Sequence, residues 1–597
     1  VSETALGVAR SLGGRRWLWR HAPGDAARDR AGLAIAQRLA LPEIVGRLLA
    51  GRGIDIEDAA HFLEPTLRAL MPDPSLLRDM DTAAARLARA VTQHETVGVF
   101  GDYDVDGAAS SALMVRFLGG LGCPVEYHVP DRTTEGYGPN APALQALVRR
   151  GVTLIVCVDC GTAAAEILGS IRGADVIVLD HHKAEGPPPP VVATVNPNRL
   201  DDASGLGMLC AAGIAFLAAV ATLRVLRRQG LFTIRAEPDL RDLLDLVALA
   251  TVCDVMPLHG FNRALVCQGL KVMARRARPG LAALLDVAQA RDRPGAMTCG
   301  FVLGPRINAG GRIGEADMGL RLLLEEDETQ ARSLAGTLDA VNRQRQEVEA
   351  AVLDAAMQMA GEQAEAGHAA LLIAGPAWHP GVVGIVAGRV KERFNRPACV
   401  AGIADGRARG SGRSVMGLDL GAAVIAARQA GILETGGGHA MAAGFSLLAS
   451  RVAEFHAFLN DRLAAAATLP SASDLSVEGV LTVAGATAEL AGAIARLAPF
   501  GNGNEEPVFA LSHARVVRAD RVGREAGTIR AFVEGEGGGR LKAMLFRARE
   551  GAVADALLAR DSVALHLAGH LRAEEWNGTM AACFAISDVA VAGGSAA

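Results

Sequence analysis

The sequence predicts an α/β protein: a first domain built on a parallel sheet, a long linking helix, a second α/β domain and a C-terminal β-barrel. Three observations carry this. The apolar, β-branched runs "TVGVF", "VEYHVP", "TLIVCVD" and "ADVIVLD" are separated by stretches long enough for a helix, the pattern of βαβ units and a parallel sheet. A stretch near residues 328–366 is rich in Ala, Gln and Glu and nearly free of turn-formers. The last 120 or so residues break into short β-like runs, the signature of a small barrel.

In chain order, residues 1–75 read as a helical segment in which "GIDIEDAAHFLEP" stops at Pro65. Residues 76–327 form the parallel-sheet domain, mostly helical from about 205 to 290. The linking helix spans 328–366 and contains "AGTLDAVNRQRQEVEAAVLDAAMQMA". "HAALLIAG" opens the second α/β unit, 367–466. "ATLPSASD" is a turn-rich linker that leads into the barrel region, 467–592. The barrel strands are expected in "VVRADRVG", "TIRAFVEG", "RLKAMLF", "SVALHLAGHL" and "ACFAISDV", and the tail "AGGSAA" is expected to be disordered.

Half of the 597 residues are hydrophobic and 4% are aromatic, so large cores are available. The formal charge of −5 gives no global signature of nucleic-acid binding, and a polyanion site must be local. Lys183, Lys271, Lys391 and Lys542 are the only lysines among 60 basic residues, and the arginine forks suit phosphate. Nine scattered cysteines form no disulfide framework, which fits a reducing cytoplasm. "CVDC" lacks the second pair of a structural zinc site and stands at a strand end rather than the helix start of a redox pair. The first residues lack the apolar core of a signal peptide. Gly205 to Leu223 carries no charge, but its Ala- and Gly-rich composition reads as a buried helix rather than a membrane span.

The chemistry begins at "VFGDYDVDGAASS". Asp102, Asp104 and Asp106 are followed by Gly107, like the first half of a calcium loop. Position 12 of such a loop would be Leu113, and the segment follows a strand, so that reading fails. Asp159 ends the run "TLIVCVD", Asp180, His181 and His182 end "ADVIVLD", and Asp254 follows an apolar helix. In an open parallel sheet the carboxyl ends of the strands share one edge, where ligands bind. So many carboxylates on one rim repel one another unless cations compensate. Oxygen ligands with imidazole suit Mn²⁺ or Mg²⁺, and two such ions suit in-line attack on phosphorus.

"GDYDVDG", "VDCG", "DHH" and "TVCDVMPL", in that order, resemble the metal motifs of the DHH phosphoesterase superfamily. "GSGRS" and "GGGHAMAAG" resemble the DHH-associated substrate-binding domain. "GPRINAGGRI", "WHPGVVGIVAGRV" and "FGNGNEEPVF" extend the likeness, from about 40 to 590, to the RecJ family of bacterial exonucleases. That resemblance implies a DHH domain, a DHH-associated domain and a C-terminal OB-fold. It implies hydrolysis of single-stranded DNA from the 5′ end to mononucleotides, with two Mn²⁺ or Mg²⁺ ions, in recombination and repair. Asp102 and Asp104 would hold one ion, Asp106, His181 and Asp254 the other, and Asp159 would bridge them. His182 would face the scissile phosphate, and Asp180 would orient a histidine. For the terminal phosphate, Gly-rich loops with basic residues offer Arg306, Asn308 and Arg312, then His379, Arg407, Ser411, Arg413, Ser414 and His439. Phe509, Phe532, Phe546 and Trp576 are possible base-stacking platforms, although a small barrel needs aromatics for its core. The family implies a monomer that acts with a single-strand-binding protein and a helicase, away from membranes. The alternatives are a phosphodiesterase for short oligonucleotides or cyclic dinucleotides, and an inactive DNA-binding scaffold.

Overall fold

A computed structural model describes every residue except 1–2, 133, 137, 185, 469–473, 524–526, 560–562, 577 and 594–597. Most of the expected linker and the tail end fall outside the described residues. The chain divides into two compact units, one of residues 64–347 with 499–504, the other of 1–63, 348–498 and 505–597.

The first unit is built on five parallel strands, β1 (Val97–Gly101), β2 (Val125–His128), β3 (Leu154–Val158), β4 (Asp175–Leu179) and β5 (Ala193–Val195), in the order β2-β1-β3-β4-β5. β1 and β3 are buried at every residue, as the centre of a sheet covered on both faces requires. The helices that frame the site are α1 (Val105–Gly120), α2 (Ala211–Arg228), α3 (Leu244–Cys253) and α4 (Gly304–Ile313). The charge-free stretch lies mostly in α2, whose residues Ala211 to Ala219 are all buried in the core. No described helix is long and apolar enough to cross a membrane. β5 was not anticipated, because three residues are too few for a run to stand out. "GPRINAGGRI" is helical rather than a glycine-rich loop; α4 directly continues a π-helical turn, Thr298–Leu303. Helix α5 (Glu328–Glu365) is the long linking helix.

The second unit contains a mixed sheet: β6 (Leu371–Pro376), β7 (Ala398–Ala404), β8 (Arg407–Arg413), β9 (Thr435–His439) and β10 (Ala442–Leu448), in the order β9-β10-β8-β7-β6. Helices α6 (Pro380–Phe394) and α7 (Leu420–Gln429) pack on it. "GSGRS" lies mainly in β8, and "GGGHAMAAG" is the β9–β10 hairpin, so both are paired strands rather than loops. The barrel comprises β11 (Gly479–Leu481), β12 (Phe509–Val522), β13 (Thr528–Glu534), β14 (Arg540–Leu545), β15 (Leu565–Trp576) and β16 (Thr579–Val591). Its order is β11-β12-β13-β14-β16-β15, and β15 pairs back onto β12 to close it.

The N-terminal segment, expected to be helical, also contains a strand. Trp17–Trp19 is a strand paired in parallel with Leu475–Val477. Trp17 is fully buried among Ala5, Val8, Val477, Ala510 and Ala568, and its indole N–H donates to Asp588 at 2.8 Å. A three-residue strand shows in sequence only through its partner, and here the partner lies far along the chain.

Candidate metal centre and phosphate-binding residues

The register of the parallel sheet brings the acids together. Gly101 pairs with Val158, and Val158 with Leu179, so β1, β3 and β4 end level. The next residues are Asp102, Asp159 and Asp180, side by side on the carboxyl edge. Asp104 caps α1 by accepting from the Gly107 N–H at 3.0 Å. The turn needs glycine at 107, since a Cβ there would lie 2.4 Å from the Asp102 carbonyl oxygen. Asp106, on the first turn of α1, accepts from the N–H groups of Ala211 and Ala212 at 2.6 and 2.9 Å, the start of α2. Asp254 caps the C-terminal end of α3.

His181 stands at the middle. Its Nε2 lies 3.2 Å from Asp159, 3.5 Å from Asp254 and 3.8 Å from Asp106. Three donor sets each gather within 4.8 Å: Asp102, Asp104 and Asp159; Asp106, His181 and Asp254; Asp159, His181 and His182. Asp159 belongs to two of them, at a backbone φ of 59° that an aspartate adopts only when its surroundings enforce it.

These carboxylates suit cations and little else. Both oxygens of Asp159 and Oδ2 of Asp254 are buried and, among the described residues, accept no hydrogen bond. Burial and then the charge of Asp104 push Asp102 up to about 7. Burial, with Asp106 and Asp104, pushes Asp254 up to about 8. Burial raises Asp106, and it raises Asp159 well above the carboxylate range, with four neighbouring aspartates adding to the effect. Buried, unpartnered carboxylates of one sign need compensating positive charge. The donor set fits divalent cations of the Mn²⁺ and Mg²⁺ type.

His182 differs from His181. Its Nδ1 lies 2.8 Å from Asp180, which also accepts from the backbone of His181, His182 and Thr162. Burial opposes a charge on His182 most strongly of any single effect, but the hydrogen bond and charge of Asp180, with the charges of Asp254 and Asp102, together outweigh it and hold the imidazole up at about 9. Three residues here escaped the sequence reading. Asn196 donates to the carbonyl of His182 at 2.8 Å and Asn198 to that of His181 at 2.6 Å, bracing the histidine pair. Arg132, beyond β2 on the same edge, lies over the Tyr103 ring at 5.7 Å, and its charge acts on Asp102. The available signals were "NPN" after a short run and a basic residue just past a strand end.

The phosphate candidates separate into used and exposed groups. Arg306 donates to Asp339 at 2.9 Å and to the Val302 carbonyl at 2.8 Å. Gly311 packs on Tyr103, where a Cβ would lie 2.8 Å from the Tyr103 carbonyl. Asn308 and Arg312 stand four residues apart on α4, and the charge of Arg312 acts on Tyr103 of the aspartate loop. In the second unit, Ser411 and Arg413 converge on Gly384 of α6, where a Cβ would come 3.5 Å from the Ser411 hydroxyl and 3.3 Å from Arg413. His379 caps α6 through Nδ1, which accepts from Gly381 N–H at 3.0 Å. His439 is exposed at the end of β9, two strands across from Arg413. Arg407 does not join them: it pairs with Glu434 at the other end of β8, about 20 Å away along an extended strand. Ser414 is buried and its hydroxyl donates to the Leu418 carbonyl at 2.9 Å. In the barrel Phe509 is buried, Phe532 is half-buried under Arg540, and Phe546 is exposed. The Trp576 side chain lies outside the described residues.

A parallel-sheet rim of aspartates and paired histidines defines a DHH-type phosphoesterase domain. The family model for the N-terminal DHH domain matches residues 96–251, the DHHA1 domain 366–465, and the RecJ OB domain 477–588. The chain is 38% identical over 518 residues to the single-stranded-DNA-specific exonuclease RecJ of Escherichia coli, covering 84% of this chain and 88% of that one. It is 34% identical over 571 residues to the Bacillus subtilis exonuclease of that name, covering 94% and 69%. The chain belongs to the RecJ family. A crystal structure of RecJ from Thermus thermophilus in complex with Mn²⁺ superposes with a TM-score of 0.79 at 30% identity, over 96% of this chain and 79% of that one. Another from the same organism holds Mg²⁺.

Proposed function

We propose that this chain is a single-strand-specific DNA exonuclease that hydrolyses phosphodiester bonds from the 5′ end and releases mononucleotides. The observation that carries it is the rim itself: overlapping carboxylate and imidazole sets that share Asp159, with buried oxygens that accept no hydrogen bond. Residues 76–327 serve as the catalytic domain, 367–466 as the substrate-binding domain and 467–592 as the OB-fold.

Asp102, Asp104 and Asp159 hold one cation, and Asp106, His181 and Asp254 hold the other with Asp159 between them. When bound, the two ions activate water and neutralise charge on the phosphate. Asp106 is aimed by the α2 N–H groups, and His181 by the backbone bond that Asp180 accepts. His182 commits Nδ1 to Asp180 and presents Nε2 to a non-bridging phosphate oxygen. Held by Asp180, it stabilises the charge that grows there in the transition state. Ser411, Arg413 and His439, with His379 at the start of α6, receive the terminal 5′ phosphate. Asn308 and Arg312 contact the phosphate next to the centre. The protein acts as a cytoplasmic monomer beside a single-strand-binding protein and a helicase; family membership supports this.

The test is digestion of a 5′-phosphorylated single strand and its duplex with Mn²⁺, wild type beside Asp159→Ala. The expected result is mononucleotide release from the single strand alone, abolished in the variant. Full activity in the variant, or equal attack on the duplex, would sink the reading.

A further inference from the structure

The loop that follows Asp254 is held by a segment from far downstream. Val255 takes a left-handed φ of 57°, which a β-branched residue adopts only under constraint. The constraint comes from residues 499–504, "PFGNGN", which fold as part of the 64–347 unit. The side-chain amide of Asn502 donates to the Val255 carbonyl at 2.8 Å. The Leu258 N–H donates back to the Asn502 carbonyl at 2.8 Å, so one residue grips the loop at two points. Glycines make the approach possible. A Cβ at 501 would lie 2.7 Å from Leu258, and Gly503, at φ 72°, sits against Pro257. The turn is itself stiff: Gly501 and Asn504 exchange backbone bonds of 3.0 and 3.1 Å, and the Asn504 amide donates to the Pro499 carbonyl at 2.9 Å.

Asp254 depends on its backbone for aim, because among the described residues its buried Oδ2 accepts no hydrogen bond that would orient the carboxylate. We propose that Asn502 is a positioning residue of the metal centre: by fixing the 255 peptide it points Asp254 at His181 and Asp106, and so sets the affinity for the divalent cation. This rests on the reading of Asp254 as a metal ligand. It gives the "FGNGN" motif a task in the catalytic unit, although the motif lies within the stretch matched by the OB family model.

The experiment measures Mn²⁺ binding to the full chain without DNA, by electron paramagnetic resonance of the free ion. Wild type is compared with Asn502→Asp, Asn502→Ser and Asp254→Asn, and the melting of each metal-free protein reports folding. The Asp variant keeps the shape but sets a carboxylate against the Val255 carbonyl. The expected result is a Mn²⁺ dissociation constant raised about tenfold in Asn502→Asp, the scale of losing an outer partner of a ligand, with kcat recovering at saturating Mn²⁺. A folded Asn502 variant that binds Mn²⁺ like wild type overturns the proposal, whatever its melting temperature. If wild type binds Mn²⁺ but leaves single-stranded DNA intact, the proposed function falls and this inference stands. Absence of saturable Mn²⁺ binding in wild type overturns both.

Discussion

The carboxyl edge of the first sheet and the β8–β10 region of the second both carry residues expected to bind phosphate chemistry, yet they manage polar groups in opposite ways. On the first, Asp159 is buried and Asp254 half-buried, both oxygens of the one and Oδ2 of the other accept no hydrogen bond among the described residues, and their pKa values rise. On the second, His379 caps a helix, Ser414 is spent on a turn and Arg407 is paired with Glu434. A buried group without a partner costs stability and persists where a ligand supplies the partner. A group with a partner at hand is already explained by the fold. The contrast teaches which candidates to test first.

The largest effect should come from Asp159→Asn, which alters the residue common to two of the donor sets. We expect activity to fall by about three orders of magnitude or more, with the metal-free protein at least as stable, because the fold no longer has to protonate a buried acid. Steady-state rates and melting curves together check this, and a destabilised variant would break the contrast. His182→Ala should lower kcat by about 10² to 10³-fold while Mn²⁺ binding persists, the scale of losing one transition-state contact. Equal loss of Mn²⁺ affinity would instead make His182 a ligand.

The third prediction concerns pH. Raised carboxyl pKa values mean that the folded state holds more protons than the unfolded one. Stability of the metal-free chain therefore falls as pH climbs from the ordinary carboxylate range through about 8, the value reached by Asp254. Mn²⁺ replaces those protons, so its gain in melting temperature should be larger at about pH 8 than at about pH 5.5. A gain independent of pH would mean that the acids are not the binding groups.

Smaller effects belong to the second sheet. Arg413→Ala should raise KM for a 5′-phosphorylated strand about tenfold and change little for a 5′-hydroxyl strand. Arg407→Ala should alter KM by less than about twofold and stability by no more than about 0.5 kcal/mol. A large Arg407 effect on KM would show that the terminal phosphate reaches the far end of β8.

Much of the fold was legible because its signals are local. Strands β1, β3 and β4 are apolar runs followed by an acid, and the linking helix holds few turn-formers in its 38 residues. What escaped has its cause elsewhere in the chain. The strand at Trp17 needs Leu475–Val477, and the helicity of "GPRINAGGRI" outweighs its glycines through packing on Tyr103. Arg306 looked like a phosphate fork, but Asp339, one helix away, takes it.

The sequence alone determined the metal chemistry, because carboxylates and imidazoles at strand ends of a parallel sheet fall on one edge whatever the details of packing. Only the tertiary structure decided how those residues are shared out. Level strand ends set Asp159 between two donor sets, Asp180 holds His182 through Nδ1, and "FGNGN" reaches the loop of Asp254. The reason is that hydrogen bonds and charges act over a few ångströms in space, while the residues that make them stand up to hundreds of positions apart in the chain.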